Sequence, residues 1–141
     1  MLVTIYIDTE NQRPTKQLHR YGYVLEAAGK TAEGFGEADE TFSGTVLTAL
    51  LAAVSRIRTK CELKIVLRNC RIGQDLTENA EKWKKQGWIR GSGKPVKNAE
   101  LWKQLLDQLH KLGISEITYD NSMRHSYSSW IQGEIKRKII A

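Results

Sequence analysis

Residues 45–67 read TVLTALLAAVSRIRTKCELKIVL and predict a helix that leads directly into a buried strand. Apolar residues recur every three or four positions across 45–58, which is the spacing of one helix face. Ser43 precedes this segment and is the predicted N-cap. Leucine and isoleucine then alternate with other residues at 63–67, which is the two-residue period of a strand. The pair predicts a helix that packs against a sheet.

The segments on either side predict four further strands and at least two further helices. The strands are expected at 2–8, 21–26, 32–40 and 114–119, and the helices at 98–110 and 127–138. Glycines and glutamates make 32–40 a weak strand, and one or two more helices are expected around the stretch before residue 98. An opening hairpin followed by alternating helices and strands predicts an α/β (mixed α+β) fold, a mixed sheet flanked by helices.

Length and charge indicate one globular domain with a polyanionic partner. A chain of 141 residues supports one core, and no repeat or linker divides it, so 1–141 is expected to be a single domain. Lys and Arg total 22 against 16 Asp and Glu, which gives a net charge of +6. The isoelectric point is about 9.4. This excess of positive charge favours a polyanionic partner.

The sequence also bears on the cellular compartment. The longest apolar run, 46–54, is far shorter than the roughly 20 residues that span a bilayer. The amino terminus does not resemble a signal peptide, so a cytoplasmic location and no membrane partner are expected. Cys61 and Cys70 lie at the ends of one extended segment, roughly 30 Å apart, which is too far for a disulfide. They are expected to be small core residues.

The positive charge is concentrated in residues 81–97. Six cations stand there against Glu81 alone, so 6 − 1 leaves +5. The six are Lys82, Lys84, Lys85, Arg90, Lys94 and Lys97. Trp83 and Trp88 lie among them, and an indole can lie against a sugar or pack beneath a cationic segment. Two interpretations are open: a solvated basic helix end with buried tryptophans, or a segment that binds nucleic acid.

Four short sequence motifs, taken together and in order, resemble those of type 1 ribonuclease H. They are YIDTE at 6–10, RYGYVLE at 20–26, EKWKKQGW at 81–88 and KPVKNAELWKQL at 94–105. The resemblance covers 2–138 and implies a ribonuclease H-like five-stranded mixed sheet flanked by helices. It also implies that residues 81–98 form the basic protrusion with which bacterial members of the family bind an RNA/DNA hybrid. The six cations and Trp88 would then contact or support the bound nucleic acid.

The resemblance further implies an active site of four carboxylates that hold two Mg²⁺ ions. Clustered anionic oxygens are needed there because two dications repel each other at short distance. Asp8 matches the first carboxylate of the family. The second position falls on Val46, or on Thr45 with a one-residue shift. The third and fourth fall on Asn69 and Gln132, so three of the four positions hold uncharged side chains.

The placement of Gln132 depends on His125, which is taken as the family's histidine seven residues earlier. The proton-shuttling histidine of the family then falls on Ser122. An amide keeps the shape of a carboxylate but brings no charge to offset a dication. Asp8 is therefore expected to be a vestigial catalytic residue and a weak metal ligand, with Glu10 as a second candidate ligand.

Three functions follow from these residues. The favoured one is a degenerate family member that binds RNA/DNA hybrid or double-stranded RNA through the protrusion, needs no cofactor and has no hydrolytic activity. A second is an active ribonuclease H that uses Mg²⁺ or Mn²⁺ on Asp8 with displaced carboxylates such as Glu10 and Asp120. A third is a protein-interaction module on a degenerate nuclease fold.

Overall fold

Five strands form one sheet in the computed structural model, which describes the backbone of residues 1–140 and the side chains of 1–138. They are β1 (Leu2–Thr9), β2 (Gln17–Ala27), β3 (Lys30–Glu40), β4 (Glu62–Arg68) and β5 (Ile117–Ser122). Their order is β3-β2-β1-β4-β5, with β1 antiparallel to β2 and parallel to β4. The predicted five-stranded mixed sheet is confirmed.

Five helices lie within the same described residues and cover both faces of the sheet. They are α1 (Phe42–Val54), α2 (Ile72–Glu78), α3 (Ala80–Lys85), α4 (Ala99–Leu112) and α5 (Ser128–Ile140). The main core includes Ile5 of β1, Leu47 of α1 and Leu105 of α4, all fully buried. On the opposite face, Ile131 of α5 packs with Val24 of β2. None of these helices is long and apolar enough to cross a membrane.

Helix α1 begins and ends earlier than the pattern at 45–58 predicts. Thr41, not Ser43, is the N-cap, because its hydroxyl accepts a hydrogen bond from a first-turn amide at 3.1 Å. The helix ends at Val54, and the amides of Arg56 and Ile57 bond three residues back in a tight turn. That turn keeps Ile57 buried, which explains why the apolar spacing continues past the helix. The helices predicted at 98–110 and 127–138 lie within two residues of α4 and α5.

Strand β3 is not the weak strand expected from its composition, since it pairs with β2 along its whole length. Gly34 and Gly36 face the rings of Tyr23 and Tyr21, where an added Cβ would overlap the phenol groups. The glycines therefore admit two tyrosine side chains and do not weaken the strand. Strand β2 also begins four residues before the predicted segment 21–26, because β3 continues alongside it.

Strand β5 begins three residues later than the run 114–119 predicts. Gly113 ends α4 with φ 71°, in the left-handed region that glycine adopts readily. The Ile114 amide then donates to the carbonyl of Leu109 at 3.0 Å. Ile114 is therefore part of the cap of α4, and its apolar side chain is buried there and not in the strand.

Candidate functional site

The ends of two neighbouring parallel strands bring Asp8 and Arg68 together. Strands β1 and β4 run in register, so their carboxyl ends meet at one edge of the sheet. Arg68 Nη1 lies 3.0 Å from Asp8 Oδ1, with the Asp8 side chain 1% exposed and that of Arg68 18% exposed. Arg68 Nε also donates to the carbonyl of Met123 at 2.6 Å. Two hydrogen bonds, one to Asp8 and one to the Met123 carbonyl, thus hold the Arg68 guanidinium in place.

The two oxygens of Asp8 have different surroundings. Oδ1 accepts from the amide of Thr9 at 2.8 Å and from Gln132 Nε2 at 3.3 Å, in addition to Arg68. Oδ2 is buried without a hydrogen-bond partner among the described residues. A cavity of about 10 Å³ lies beside this carboxylate, with Gln12, Val46 and Arg68 in its lining.

The structure brings two of the predicted carboxylate positions to Asp8. Gln132 reaches it from α5 by a hydrogen bond, and Val46 lines the same small cavity. Thr45, the alternative to Val46, instead donates its hydroxyl to the carbonyl of Thr41 at 2.8 Å. Of the two alternatives, Val46 is the one that lines the cavity beside Asp8.

Asn69 lies beside this site but its side chain does not contact Asp8. Its φ of 47° turns the chain immediately after β4, and its amide donates to the Ser122 carbonyl at 3.0 Å. Its side-chain nitrogen lies 3.4 Å from Gln12 Oε1. Arg68, which precedes it, is the residue of this turn that faces Asp8.

The other candidate carboxylates are bound to cations of the protein. Glu10 accepts from the Arg20 amide at 2.8 Å, and its second oxygen lies 3.7 Å from Arg20 Nη1. Asp120 lies 3.1 Å from Lys64 Nζ. Within the part of the chain that the structure describes, no three His, Cys, Asp or Glu side chains cluster as metal ligands.

His125 joins the loop before α5 to strand β1. Its Nε2 donates to the Ile7 carbonyl at 2.8 Å, and its Nδ1 accepts from the Tyr127 amide at 3.2 Å. Both ring nitrogens are thus satisfied in the neutral form, and burial lowers the pKa of His125 below its usual value. This anchor holds the start of α5 next to β1, where Gln132 reaches Asp8.

The basic protrusion, residues 81–98, comprises most of α3, a short hairpin and the turn before α4. Ile89 and Pro95 form the bridge of the hairpin, and the Arg90 amide donates to the Lys94 carbonyl at 2.8 Å. The six cations predicted to bind nucleic acid are all exposed. Within the described residues none of the six is in an ion pair. They are Lys82, Lys84, Lys85, Arg90, Lys94 and Lys97.

The tryptophans of this segment anchor it to the domain. Trp83 packs edge-on against buried Trp102, with ring centroids 5.9 Å apart. The guanidinium of Arg90 lies 6.0 Å from the Trp83 ring, within cation–π range. Trp88 is half-buried and packs against the main core, with a left-handed φ of 66°. The two interpretations of the segment are therefore compatible, because packed tryptophans hold exposed cations in place.

A groove of about 450 Å³ connects the protrusion to the edge where Asp8 lies. Arg90 and Lys97 line it from the protrusion, and Thr41 and Arg71 line it from the starts of α1 and α2. Phe42 lines both this groove and the small cavity at Asp8. Sequence reasoning missed Thr41 and Arg71 because the groove joins segments that are distant along the chain.

Comparison with known sequences agrees with this geometry. The sequence model of the RNase H family matches residues 2–118, most of the chain. The chain belongs to the RNase H family. It is 34% identical to a Ribonuclease H of Acidovorax sp. (strain JS42) over 66% of this chain and 64% of that protein. It is 36% identical to a Ribonuclease H of Paracidovorax citrulli (strain AAC00-1) over 62% of this chain and 59% of that protein. The chain thus spans less than two thirds of these two RNase H relatives.

Solved structures share the RNase H fold at low sequence identity. LC9-RNase H1, a type 1 RNase H with the type 2 active-site motif, has a TM-score of 0.69 at 19% identity. The match covers 98% of this chain and 69% of that one. The foamy viral protease-reverse transcriptase in complex with RNA/DNA hybrid has a TM-score of 0.56 at 16% identity. That match covers 85% of this chain and 17% of that chain.

Proposed function

We propose that this chain is a single RNase H-like domain that binds RNA/DNA hybrid or double-stranded RNA through the basic protrusion and does not hydrolyse it. The observation that carries the proposal is the ion pair between Asp8 and Arg68. It occupies the carboxylate that the family uses to hold metal, while the basic surface of the protrusion is intact.

The residues around Asp8 do not fit a pair of magnesium ions. Mg²⁺ binds through hard, anionic oxygens, and four of them are needed to offset two dications. Here Asp8 Oδ1 is bonded to Arg68 and Gln132, and Val46 has no oxygen to offer. Asn69 directs its amide to Gln12. The site lacks the negative charge that would hold two magnesium ions, and the Arg68 guanidinium adds a positive charge beside Asp8. We therefore expect no hydrolysis.

The protrusion supports nucleic acid as the partner. Its six exposed cations lack acidic partners among the described residues. They can therefore contact phosphates without first breaking an ion pair within the protein. The groove below them, lined by Arg90 and Lys97, leads toward Asp8. The foamy viral enzyme with this fold was solved with RNA/DNA hybrid and with double-stranded DNA. Recognition would rest on backbone shape and the 2′-hydroxyls, with little reading of bases.

The proposal includes a cytoplasmic location. Cys61 and Cys70 are both free and buried, as expected of thiols in a reducing compartment.

A paired assay of binding and cleavage tests the proposal. A short fluorescein-labelled RNA/DNA hybrid, the matching double-stranded RNA and the matching DNA duplex are titrated with the protein and followed by anisotropy. The same hybrid is then incubated with excess protein in Mg²⁺ and in Mn²⁺, with an active bacterial ribonuclease H as the positive control. We expect binding to the hybrid or to the RNA duplex and no cleavage product.

Either half of the assay can contradict the proposal. Cleavage that is abolished in Asp8→Asn would establish the alternative of an active nuclease with displaced ligands. Failure to bind any of the three duplexes at low salt would remove nucleic acid as the partner and favour the protein-interaction module.

A further inference from the structure

The side chain of Arg68 lies where a cation is needed beside Asp8. Its Nη1 is bonded to Asp8 Oδ1 at 3.0 Å, and its Nε is bonded to the Met123 carbonyl at 2.6 Å. The Arg68 carbonyl in turn accepts from Gln12 Nε2 at 3.3 Å. The contacts to Asp8 of β1 and to Met123 of the loop before α5 orient the guanidinium, and the Gln12 contact holds the backbone that carries it.

The charge of this site is balanced without a metal ion. In an active family member, four carboxylates are offset by two dications, so the sum of charges is zero. Here the single carboxylate of Asp8 is offset by the single guanidinium of Arg68, and Val46 and Gln132 are neutral. The site therefore presents no surplus negative charge to a phosphate, and a polyanion can approach it without a bridging cation.

Arg68 also has hydrogen-bond donors to spare. A guanidinium carries five N–H donors in a planar fork, which suits phosphate oxygens. Nε and Nη1 have acceptors within the protein, whereas Nη2 has none among the described residues. The side chain is 18% exposed, so part of it is open to solvent at the sheet edge.

We propose that Arg68 takes the place of the metal cation and binds a backbone phosphate directly, so that the chain binds nucleic acid at this edge without a divalent cation. The inference rests on the proposed nucleic-acid binding. It adds a specific contact between Arg68 and a phosphate, and it makes binding at this edge independent of divalent cations. It makes Arg68 a binding residue at the position where relatives hold metal.

The test compares hybrid binding in EDTA and in Mg²⁺ at matched ionic strength. The labelled RNA/DNA hybrid is titrated with wild type, with Arg68→Gln and with Arg58→Gln. Arg58 is the matched control because it is exposed and precedes β4, at the opposite end of that strand. We expect wild type to bind no more tightly in Mg²⁺ than in EDTA. Arg68→Gln should bind about tenfold more weakly and lose about one unit of the salt slope, with Arg58→Gln unchanged.

A double variant separates the loss of a phosphate contact from the effect of a folding defect. Arg68→Gln leaves the buried carboxylate of Asp8 without its counter-ion, whereas Asp8→Asn/Arg68→Gln removes both charges. The double variant should still bind more weakly than wild type and lose about one unit of the salt slope, with a native circular dichroism spectrum. A purely structural role for Arg68 would leave the affinity and salt slope of the folded double variant at the wild-type values.

Three outcomes would overturn the inference, and they differ in whether they also overturn the proposed nucleic-acid binding. Wild-type binding that requires Mg²⁺ would show that a metal still holds the phosphate. Wild-type affinity in the folded double variant would show that Arg68 makes no phosphate contact. Both outcomes leave the proposed nucleic-acid binding intact, whereas a wild-type protein that binds neither the hybrid nor the double-stranded RNA in either buffer overturns both proposals.

Discussion

Arg68 Nη1 lies 3.0 Å from Asp8 Oδ1, across 60 residues of sequence, and Asp8 is almost completely withdrawn from water. Two charges that leave water lose their hydration, and their mutual attraction together with further hydrogen bonds offsets that loss. The amide of Thr9 and the side chain of Gln132 supply such bonds to the carboxylate. The pair therefore depends on both partners, and removal of one leaves the other with an uncompensated charge.

We predict that Asp8→Asn lowers the free energy of unfolding by about 2 kcal/mol. The value is below that of a fully buried pair because Arg68 retains some exposure, which allows water to solvate its charge. Urea denaturation followed by circular dichroism measures the change. The control is Asp120→Asn, which breaks the exposed pair with Lys64 and should cost less than about 1 kcal/mol. Equal stability of Asp8→Asn and wild type would contradict this account of the pair.

The protrusion should dominate the salt dependence of hybrid binding. Lys84→Ala/Lys85→Ala removes two exposed cations from the end of α3. If each contacts a phosphate, fewer counterions are released on binding, and the slope of log K against log salt falls by about 1 to 2. Anisotropy titrations with the labelled hybrid over a range of salt concentrations measure this slope.

A control variant separates local contacts from net charge. Lys30→Ala/Lys60→Ala removes the same charge from two exposed residues. Lys30 begins β3 and Lys60 precedes β4, and the strand register places both at the end of the sheet away from Asp8. The control should keep the wild-type slope. Equal losses in the two double variants would mean that the protrusion has no special role.

The stability of the fold should fall in mild acid through His125. Burial lowers the pKa of this imidazole from its ordinary value of 6.5, so the unfolded chain binds the proton more tightly than the folded one. The stabilisation is complete above that value and is lost as the pH falls through the lowered pKa of the folded protein. His125→Gln keeps a side-chain donor for the Ile7 carbonyl but does not titrate.

Two measurements check this prediction. The urea midpoint of wild type should fall more steeply than that of His125→Gln as the pH is lowered from neutral toward 5. Titration of the imidazole resonances by NMR should place the midpoint of His125 below 6.5. Equal slopes in the two proteins, or a midpoint at or above 6.5, would exclude His125 as the group responsible.

Sequence reasoning succeeded where spacing along one element determined the outcome. Alternation and helical periodicity gave the strands and helices of the sheet, because burial of one face imposes those periods. Seven residues separate His125, in the loop before α5, from Gln132, and the structure places Gln132 within hydrogen-bond distance of Asp8. These features depend on local geometry, which the order of residues records.

The rest depended on contacts that join distant segments. The direction of the Arg68 side chain is set by Asp8 of a neighbouring strand and by the Met123 carbonyl of a loop 55 residues away. The turn at Asn69 carries its side-chain amide away from Asp8, although the resemblance to the family predicts a carboxylate position there. The composition of β3 was misleading because its glycines accommodate tyrosine rings of β2. Such pairings are a property of the tertiary fold and have no signature in either segment alone.

The two thiols should be unreactive in the folded protein. Burial raises the pKa of Cys70 to about 11, so at pH 8 only about one thiol in a thousand is the reactive thiolate. Burial also raises the pKa of Cys61, and both residues are less than a tenth exposed. Alkylation by iodoacetamide at pH 8, followed by mass spectrometry, should leave the native protein unlabelled and label both thiols in urea. The variant Cys70→Ser assigns the sites, since it should show one label in urea and none when folded. Fast labelling of Cys70 in the native protein would mean that the turn after β4 opens readily, and the Arg68 side chain that this turn carries would then lack the fixed orientation described above.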